Sequence, residues 1–131
     1  KKTISLKKQL LETSGPEYIL HGDLHQDNVL KHESEWFAID PKGIVGEKEF
    51  EAACFDFIHK EEFESRDDIP QLFQMRAKIL AKKLGLDFER LSSWVFVRLV
   101  LGVCFMLEDR GDPDEFILQI SKMFLNSKDL K

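Results

Sequence analysis

The chain has 131 residues, of which 43% are hydrophobic and eleven are phenylalanines. This composition supplies ample material for the buried core of one domain and argues against intrinsic disorder. The formal charge of −5 and the pI near 5.4 argue against nucleic-acid and anionic-membrane partners, because both are bound through clustered Lys and Arg. A neutral or cationic small molecule is easier to accommodate.

The cysteines and the most apolar stretch indicate a cytoplasmic protein. Cys54 and Cys104 lie in apolar stretches rather than at metal-binding or redox spacing, which predicts buried, reduced thiols. The most apolar stretch, 94–107, contains Arg98 and is shorter than the roughly 20 residues that span a bilayer, which predicts a buried helix. The chain opens without a signal-peptide pattern or a methionine, so we expect a domain cut from a longer protein.

Periodicity and turn residues predict a small hairpin in the first third of the chain. Gly15 and Pro16 stop the first helix, and a loop over 41–46 follows the hairpin. In chain order, the elements predicted before that loop are a helix over 3–14, a strand over 18–20, a polar loop over 21–27 and two hairpin strands over 28–31 and 36–39.

The rest of the chain is predicted to be helical, beginning with a helix over 49–60. Capping residues mark the later helix starts and glycines mark two of the ends, namely Asp68, Asp87 and Asp112, then Gly85 and Gly111. No internal repeat or low-complexity linker appears, so we expect a single domain over residues 1–131. The predicted fold class is mainly α with a small β-hairpin.

Two polar segments carry the residues that suggest chemistry, His21-Gly22-Asp23-Leu24-His25-Gln26-Asp27-Asn28 and Ile39-Asp40-Pro41-Lys42-Gly43. Asp23 and Asn28 share one loop and Asp40 ends the second hairpin strand, so strand pairing is expected to bring all three to one rim. Transfer of a phosphoryl group from ATP to a hydroxyl needs a carboxylate that accepts the proton and hard oxygen ligands for Mg²⁺. Asp23 suits the first role, and Asn28 with Asp40 suits the second. Protein kinases use the same order of Asp, Asn and a later metal-binding Asp.

This pattern resembles the signature of the aminoglycoside phosphotransferases and related small-molecule kinases. Further residues resemble the branch that contains streptomycin 6-kinase and the hydroxyurea-resistance kinases, namely Lys42-Gly43, Gly46, Phe50 and Arg90-Leu91 with Trp94. The resemblance implies ATP-dependent phosphorylation of a hydroxyl on a small molecule, which is an aminoglycoside-type antibiotic, hydroxyurea or a metabolite. It also implies that Asp23 is the catalytic base, that Asn28 and Asp40 bind Mg²⁺ beside ATP, and that His21 supports the loop.

The resemblance further implies the carboxy-terminal lobe of a protein-kinase-like (α+β) fold. Such a kinase needs an amino-terminal lobe for its nucleotide-covering loop and its phosphate-pairing Lys, and nothing before His21 can supply one. We therefore expect this fragment to fold alone but to be inactive. Without the other lobe, apolar surface near Trp36 and Phe37 is expected to be exposed and to favour self-association. Glu51 stands where many relatives carry an Asp that anchors the loop, so the anchoring geometry stays open.

Two alternative functions stay open from the residues. The alternating order His21-x-Asp23-x-His25 would present three ligands to zinc on one face of a strand, which is typical of a metallohydrolase. The other alternative is a non-catalytic fragment or binding module with an inherited motif.

Other residues have two interpretations each. Lys42 either approaches substrate or phosphate, or balances the charge of the loop. The nine carboxylates from Glu47 to Asp68 either attract ammonium groups or form a solvated helix face, and the second is favoured. Arg98 is expected to pair with a carboxylate rather than to contact substrate. Core packing is expected for a late stripe of phenylalanines, Phe96, Phe105, Phe116 and Phe124.

Overall fold

Short strands and longer helices make up residues 2–126, the part of the chain that the computed structural model describes. In chain order they are α1 (Lys2–Glu12), β1 (Tyr18–Leu20), β2 (Val29–His32), β3 (Glu35–Ala38), β4 (Ile44–Gly46), α2 (Lys48–Ala52), α3 (Lys60–Ser65), α4 (Ile69–Leu84), α5 (Phe88–Arg110) and α6 (Glu115–Asn126). The described chain is therefore mostly helical with small antiparallel sheets, which confirms the predicted mixture of elements.

The predicted hairpin is formed by β2 and β3. The strands pair antiparallel, with Val29 opposite Ala38 and His32 opposite Glu35. The turn between them is two residues long, and Glu33 takes a left-handed backbone conformation there with a φ of 55°. Each strand starts and ends one residue away from its predicted bounds, because this tight turn shortens the connection.

A second small sheet was not predicted, since residues 44–46 were assigned to a loop. They form β4, which pairs antiparallel with β1 so that Leu20 lies opposite Ile44 and Tyr18 opposite Gly46. The pairing satisfies backbone N–H and C=O groups of β1, which otherwise has no strand neighbour among the described residues. It also draws the segment after the hairpin against the start of the polar loop, which positions the site.

The core is built around the first half of α5, which packs against α1, α2, α4 and α6. Leu91 and Val97 are fully buried there, and Trp94 is 3% exposed. Edge-to-face contacts extend the core, because the ring of Phe73 meets the rings of Phe57 and Phe124 at centroid distances of 5.4 and 4.5 Å. The α5 helix thus supplies the rigid support behind the site.

The apolar stretch 94–107 is the middle part of a longer helix. The α5 helix has 23 residues, from the cap at Asp87, whose carboxylate accepts from the amide of Arg90, to the left-handed Gly111. Within residues 2–126, this helix alone is long and apolar enough to cross a membrane. That is weak evidence for a membrane span, because the core helices of other proteins pass the same test. About 39% of its apolar window is buried inside the protein, so the buried-helix prediction holds for part of it only.

Two predictions of buried side chains are wrong, and both concern the carboxy-terminal half of α5. Cys104 was predicted to be buried but is exposed, whereas Cys54 is buried as expected. Phe105 was predicted to pack in the core but is 64% exposed, whereas Phe96 and Phe124 are buried. In this part of α5 one face packs on α6, and Cys104 and Phe105 lie on the uncovered side.

The predicted helix over 49–60 ends at Ala52, and α3 starts at Lys60. The side-chain amide of Gln26 donates to the carbonyl of Asp56 and accepts from its backbone N–H, at 3.0 and 2.9 Å. These bonds replace helical ones, and the chain between the two helices inserts Phe57 into the core. The start of α6 is also later than predicted, because Asp114 rather than Asp112 caps it.

Candidate active site

His21 joins the polar loop to the segment after the hairpin. One of its ring nitrogens, Nε2, lies 2.7 Å from the carbonyl of Ile39, and the other, Nδ1, lies 3.3 Å from the backbone N–H of Asp23. A carbonyl only accepts and an amide only donates, so the ring carries its proton on Nε2. The carbonyl of His21 also accepts from the amides of Lys42 and Gly43. This is the supporting position that the resemblance implies.

Glu51 anchors the loop from the other side. Its two carboxylate oxygens accept from the backbone N–H of Gly22 at 3.0 and 3.3 Å, across 29 residues of sequence. Gly22 has a φ of 85°, and a Cβ atom there would lie 3.0 Å from a side-chain carbon of Ile44. Glycine is therefore required at this position both by the backbone angle and by the space. The geometry left open at Glu51 is an anchor on the backbone of the loop.

Three basic side chains surround the carboxylate of Asp23. Nζ of Lys42 and Nε2 of His25 lie 3.8 and 3.9 Å from its Oδ2, and Nη2 of Arg98 lies 4.0 Å from its Oδ1. These distances are those of ion pairs rather than direct hydrogen bonds. The side chain is 32% exposed. Among the described residues no hydrogen bond occupies either oxygen, so both remain available to an incoming hydroxyl.

The part of Arg98 in this site was missed by sequence reasoning. A lone arginine in an apolar helix predicts a carboxylate partner, and the structure confirms one. The sequence did not indicate that the partner is Asp23, which lies 75 residues earlier. The guanidinium is also held 4.9 Å from the ring centroid of Phe50, a cation–π contact that fixes its position.

Asn28 and Asp40 both lie at the base of the hairpin, where strand pairing brings their backbone segments together. The side-chain amide nitrogen of Asn28 donates to the carbonyl of Asp23 at 2.8 Å, and within residues 2–126 no hydrogen bond occupies its Oδ1. The backbone carbonyl of Asn28 accepts from the amide of Ile39 at 3.0 Å, which sets Asp40 next to it. Asp40 has a left-handed φ of 57°, and its side chain is 71% exposed. Two hard oxygen donors therefore stand at one end of the hairpin.

This donor set fits Mg²⁺ better than a metal held by protein alone. Magnesium is bound by one or two protein oxygens while water and phosphate oxygens complete its octahedron. Within the described residues, no group of three or more His, Cys, Asp or Glu side chains could hold a metal ion. The donors of Asn28 and Asp40 suit an ion that arrives with a nucleotide.

In the described part of the chain, His21, Asp23 and His25 do not form the zinc site that a metallohydrolase would need. Residues 21–28 form a loop with a 3₁₀ turn over Gln26–Asn28 rather than a strand, so the alternation does not place three side chains on one face. Both ring nitrogens of His21 are engaged by backbone groups. Nε2 of His25 lies 3.3 Å from the amide nitrogen of Asn28.

Lys42 adopts the charge-balancing arrangement. Its ammonium group lies between two carboxylates, 3.8 Å from Oδ2 of Asp23 and 3.6 Å from Oδ2 of Asp40. The side chain is 54% exposed, so it is free to change partner when the charge of the site changes.

The acidic stretch from Glu47 to Asp68 is not simply a solvated helix face. Glu47 is buried: both of its oxygens accept from Nε of Arg90 at 2.8 Å, and Oε1 accepts from the indole of Trp94. Glu62 accepts from Arg76 through both oxygens, and this interaction lowers its pKa to about 2. Glu47 is therefore part of the buried structure, and Glu62 is engaged in an ion pair at the surface.

A loop with Asp23 and Asn28, followed across a hairpin by Asp40, is the arrangement of kinase-type phosphotransferases. Residues 1–110 match the family described as aminoglycoside/hydroxyurea antibiotic resistance kinase, and the chain belongs to this family. No solved structure matches it.

The curated relatives are longer than the chain. Streptomycin 6-kinase of Streptomyces griseus is 35% identical over 92 residues, which cover 70% of this chain and 30% of that protein. Streptomycin 3''-kinase of Klebsiella pneumoniae is 31% identical over 109 residues, which cover 80% and 41%. Hydroxyurea phosphotransferase of Kitasatospora aureofaciens is 36% identical over 94 residues, which cover 70% and 25%. The chain thus spans between a quarter and about two fifths of the length of these relatives.

Proposed function

We propose that the chain is the carboxy-terminal, catalytic lobe of a cytoplasmic kinase that transfers the γ-phosphoryl group of ATP to a hydroxyl of a small molecule. The observation that carries this proposal is the meeting of Asp23, Asn28 and Asp40 at the base of one hairpin, in a chain of this family. The acceptor is an aminoglycoside-type antibiotic, hydroxyurea or a metabolite of similar chemistry, in keeping with the substrates named for the relatives.

Asp23 is the proposed catalytic base. Its carboxylate is held among Lys42, His25 and Arg98 at about 4 Å, while its oxygens stay unbonded by the described residues. An acceptor hydroxyl can therefore donate to Asp23, which orients the hydroxyl oxygen and receives its proton during transfer. The loop is prevented from turning away by the bonds of His21 and Glu51 to its backbone.

Asn28 and Asp40 are the proposed Mg²⁺ ligands. Mg²⁺–ATP supplies the phosphoryl group and neutralises the charge that develops during transfer. Oδ1 of Asn28 would bind the ion, because the amide nitrogen of that side chain is already committed to Asp23. Asp40 would add the anionic ligand, and the released Lys42 is then free to approach a phosphate oxygen.

The hairpin supports the proposal that an amino-terminal lobe of the same protein covers this side. Its apolar side chains are open to solvent, with Trp36 66%, Phe37 46% and Leu30 48% exposed. Isolated proteins seldom leave so many neighbouring apolar side chains uncovered, and such patches favour association. We therefore expect the isolated chain to fold, to self-associate through this surface, and to bind ATP weakly.

The proposal is tested by ATP consumption of the full-length protein in the presence of streptomycin, hydroxyurea and neutral metabolites. We expect acceptor-dependent turnover by the full-length protein and none by residues 1–131 alone. Acceptor turnover by the isolated chain would contradict the two-lobe proposal. Absence of turnover with every acceptor would instead support the alternative of a binding module with an inherited motif.

A further inference from the structure

A cavity of about 200 Å³ lies between the segment 53–58, α5 and α6. The proposed chemistry of Asp23, Asn28 and Asp40 makes no use of it. Its walls are mainly apolar and aromatic, and Asp56 and Arg98 are its charged lining residues. The residues from α5 and α6 that line the cavity include Val95, Leu99, Gly102, Met106, Ile117 and Phe124.

Contacts of two lining residues, Arg98 and Asp56, connect this cavity to the loop that carries Asp23. Arg98 lines the cavity and reaches Oδ1 of Asp23 at 4.0 Å. Gln26, from the same loop, holds the backbone of the lining residue Asp56 through two hydrogen bonds. Arg98 therefore belongs both to the wall of the cavity and to the surroundings of the Asp23 carboxylate.

We propose that this cavity is the acceptor pocket, and that it takes a compact, uncharged hydroxyl compound with an apolar face. The inference rests on the proposed kinase function and adds the class of the substrate. It is supported by the volume of the cavity, by its mainly apolar lining and by the position of Arg98 beside Asp23.

Size limits the acceptor. Pockets for drug-sized ligands usually enclose about 300–1,000 Å³, and this cavity is below that range. One ring with its substituents fits such a volume, whereas two or three linked sugar rings do not.

The charge of the lining also favours a small, uncharged acceptor. An ammonium group that enters an apolar cavity loses its hydration and needs a carboxylate in return. Asp56 is the single carboxylate of the lining, and the guanidinium of Arg98 lies at the Asp23 end, where it repels a cation next to the reacting hydroxyl. A neutral hydroxyl compound neither loses the hydration of a charge nor is repelled by Arg98.

The charge preference is tested with matched acceptors that differ by one ammonium group, such as glucose with glucosamine and galactose with galactosamine. Full-length protein is expected to consume ATP with a neutral member at a kcat/KM about fivefold or more above that of its amino counterpart. In the variant Arg98→Gln this ratio should fall toward one. The ratio is informative even if the variant slows turnover, because Asp23 serves both acceptors. A preference for the amino sugars, or an unchanged ratio in Arg98→Gln, would overturn the inference.

The location is tested by filling the cavity. Gly102 lines it within α5, and a Cβ atom there would meet nothing within 4 Å. Gly102→Leu should therefore fold normally and lower kcat/KM for the neutral acceptor about tenfold or more, mainly through KM, with the KM for ATP unchanged. Cys104→Leu is the matched control, since it adds bulk to the exposed side of the same helix. Equal effects of the two variants, or none from Gly102→Leu, would contradict the pocket.

Binding can be measured without catalysis by methyl NMR of the methionines in the full-length protein. Addition of the neutral sugar should shift the Met106 methyl resonance in a saturable way and leave Met75 unchanged, because Met106 lines the cavity and Met75 is exposed on α4. Turnover without a Met106 shift would overturn the pocket and keep the kinase. Turnover with multi-ring aminoglycosides alone would also keep the kinase and overturn the inference. Loss of ATP consumption with all acceptors would overturn both.

Discussion

Two carboxylates of this chain, Glu47 and Asp23, each face an arginine of α5. They differ in solvent exposure, in their distance from that arginine and in hydrogen bonding. Glu47 is 5% exposed at its side chain, lies 2.8 Å from Arg90 and also accepts from the indole of Trp94. Asp23 is 32% exposed and lies 4.0 Å from Arg98, with no direct hydrogen bond to its carboxylate among the described residues. A carboxylate with all its oxygens occupied stabilises the fold, whereas one that is positioned but unbonded is available for chemistry.

The largest expected effect is on turnover, at Asp23. Asp23→Asn keeps the shape of the side chain and removes the proton acceptor, so kcat of the full-length protein should fall by about 10²–10⁴-fold. Affinity for ATP and the unfolding midpoint should change little, because the ion pairs that this partly exposed carboxylate loses are long and contribute about 1 kcal/mol or less. Steady-state kinetics and thermal unfolding measure the two quantities. A kcat within threefold of wild type would remove Asp23 from the catalytic role.

At Glu47, by contrast, a substitution is expected to lower stability and to leave turnover unchanged. Glu47→Gln leaves the charge of Arg90 without its buried partner, which should lower the free energy of unfolding by about 3 kcal/mol. The folded fraction should retain its kcat, since Glu47 lies outside the loop that carries Asp23. Urea unfolding of the variant is compared with Glu61→Gln, a change at an exposed glutamate of the same acidic stretch. Equal stabilities of the two variants would mean that burial of Glu47 contributes little.

A third variant separates metal binding from proton transfer. Asp40→Asn replaces an anionic ligand of a hard dication by a neutral one, so the Mg²⁺ concentration for half-maximal activity should rise about tenfold or more. The same titration with Asp23→Asn should show a lower rate at an unchanged Mg²⁺ requirement. An unchanged Mg²⁺ curve for Asp40→Asn would count against Asp40 as a ligand.

The smallest effect is expected from a surface pair, Glu62 with Arg76. The hydrogen bonds from Arg76 lower the pKa of Glu62 to about 2. Because the pKa is lower in the folded protein, the stabilisation is complete above the ordinary carboxylate pKa and is lost as the pH falls toward 2. The difference in unfolding midpoint between pH 6 and pH 3 should therefore be larger for wild type than for Glu62→Gln. Identical pH dependence of the two proteins would show that the pair does not contribute.

The hairpin and the proximity of Asp23, Asn28 and Asp40 could be predicted because they depend on short-range signals. Asp23 and Asn28 share one loop, and a two-residue turn brings Asp40 back beside them. The contact of Arg98 with Asp23 was not predictable from the residues, since the two lie 75 residues apart. Glu51 was indicated as an anchor by the family resemblance alone, and its bond to Gly22 spans 29 residues. Helix propensity likewise failed at 53–59, where Gln26 bonds to Asp56 across 30 residues. Contacts that are distant in sequence override local preference at these points.

We propose that the rim formed by Asp23, Asn28 and Asp40 transfers a phosphoryl group. This proposal is tested most directly by following the label of γ-³²P-ATP in the full-length protein with its acceptor. The account predicts that label appears covalently on the acceptor, and that Asp23→Asn reduces the rate of labelling to about 1% or less. Label found only in inorganic phosphate, or on the acceptor at the same rate in Asp23→Asn, would contradict it.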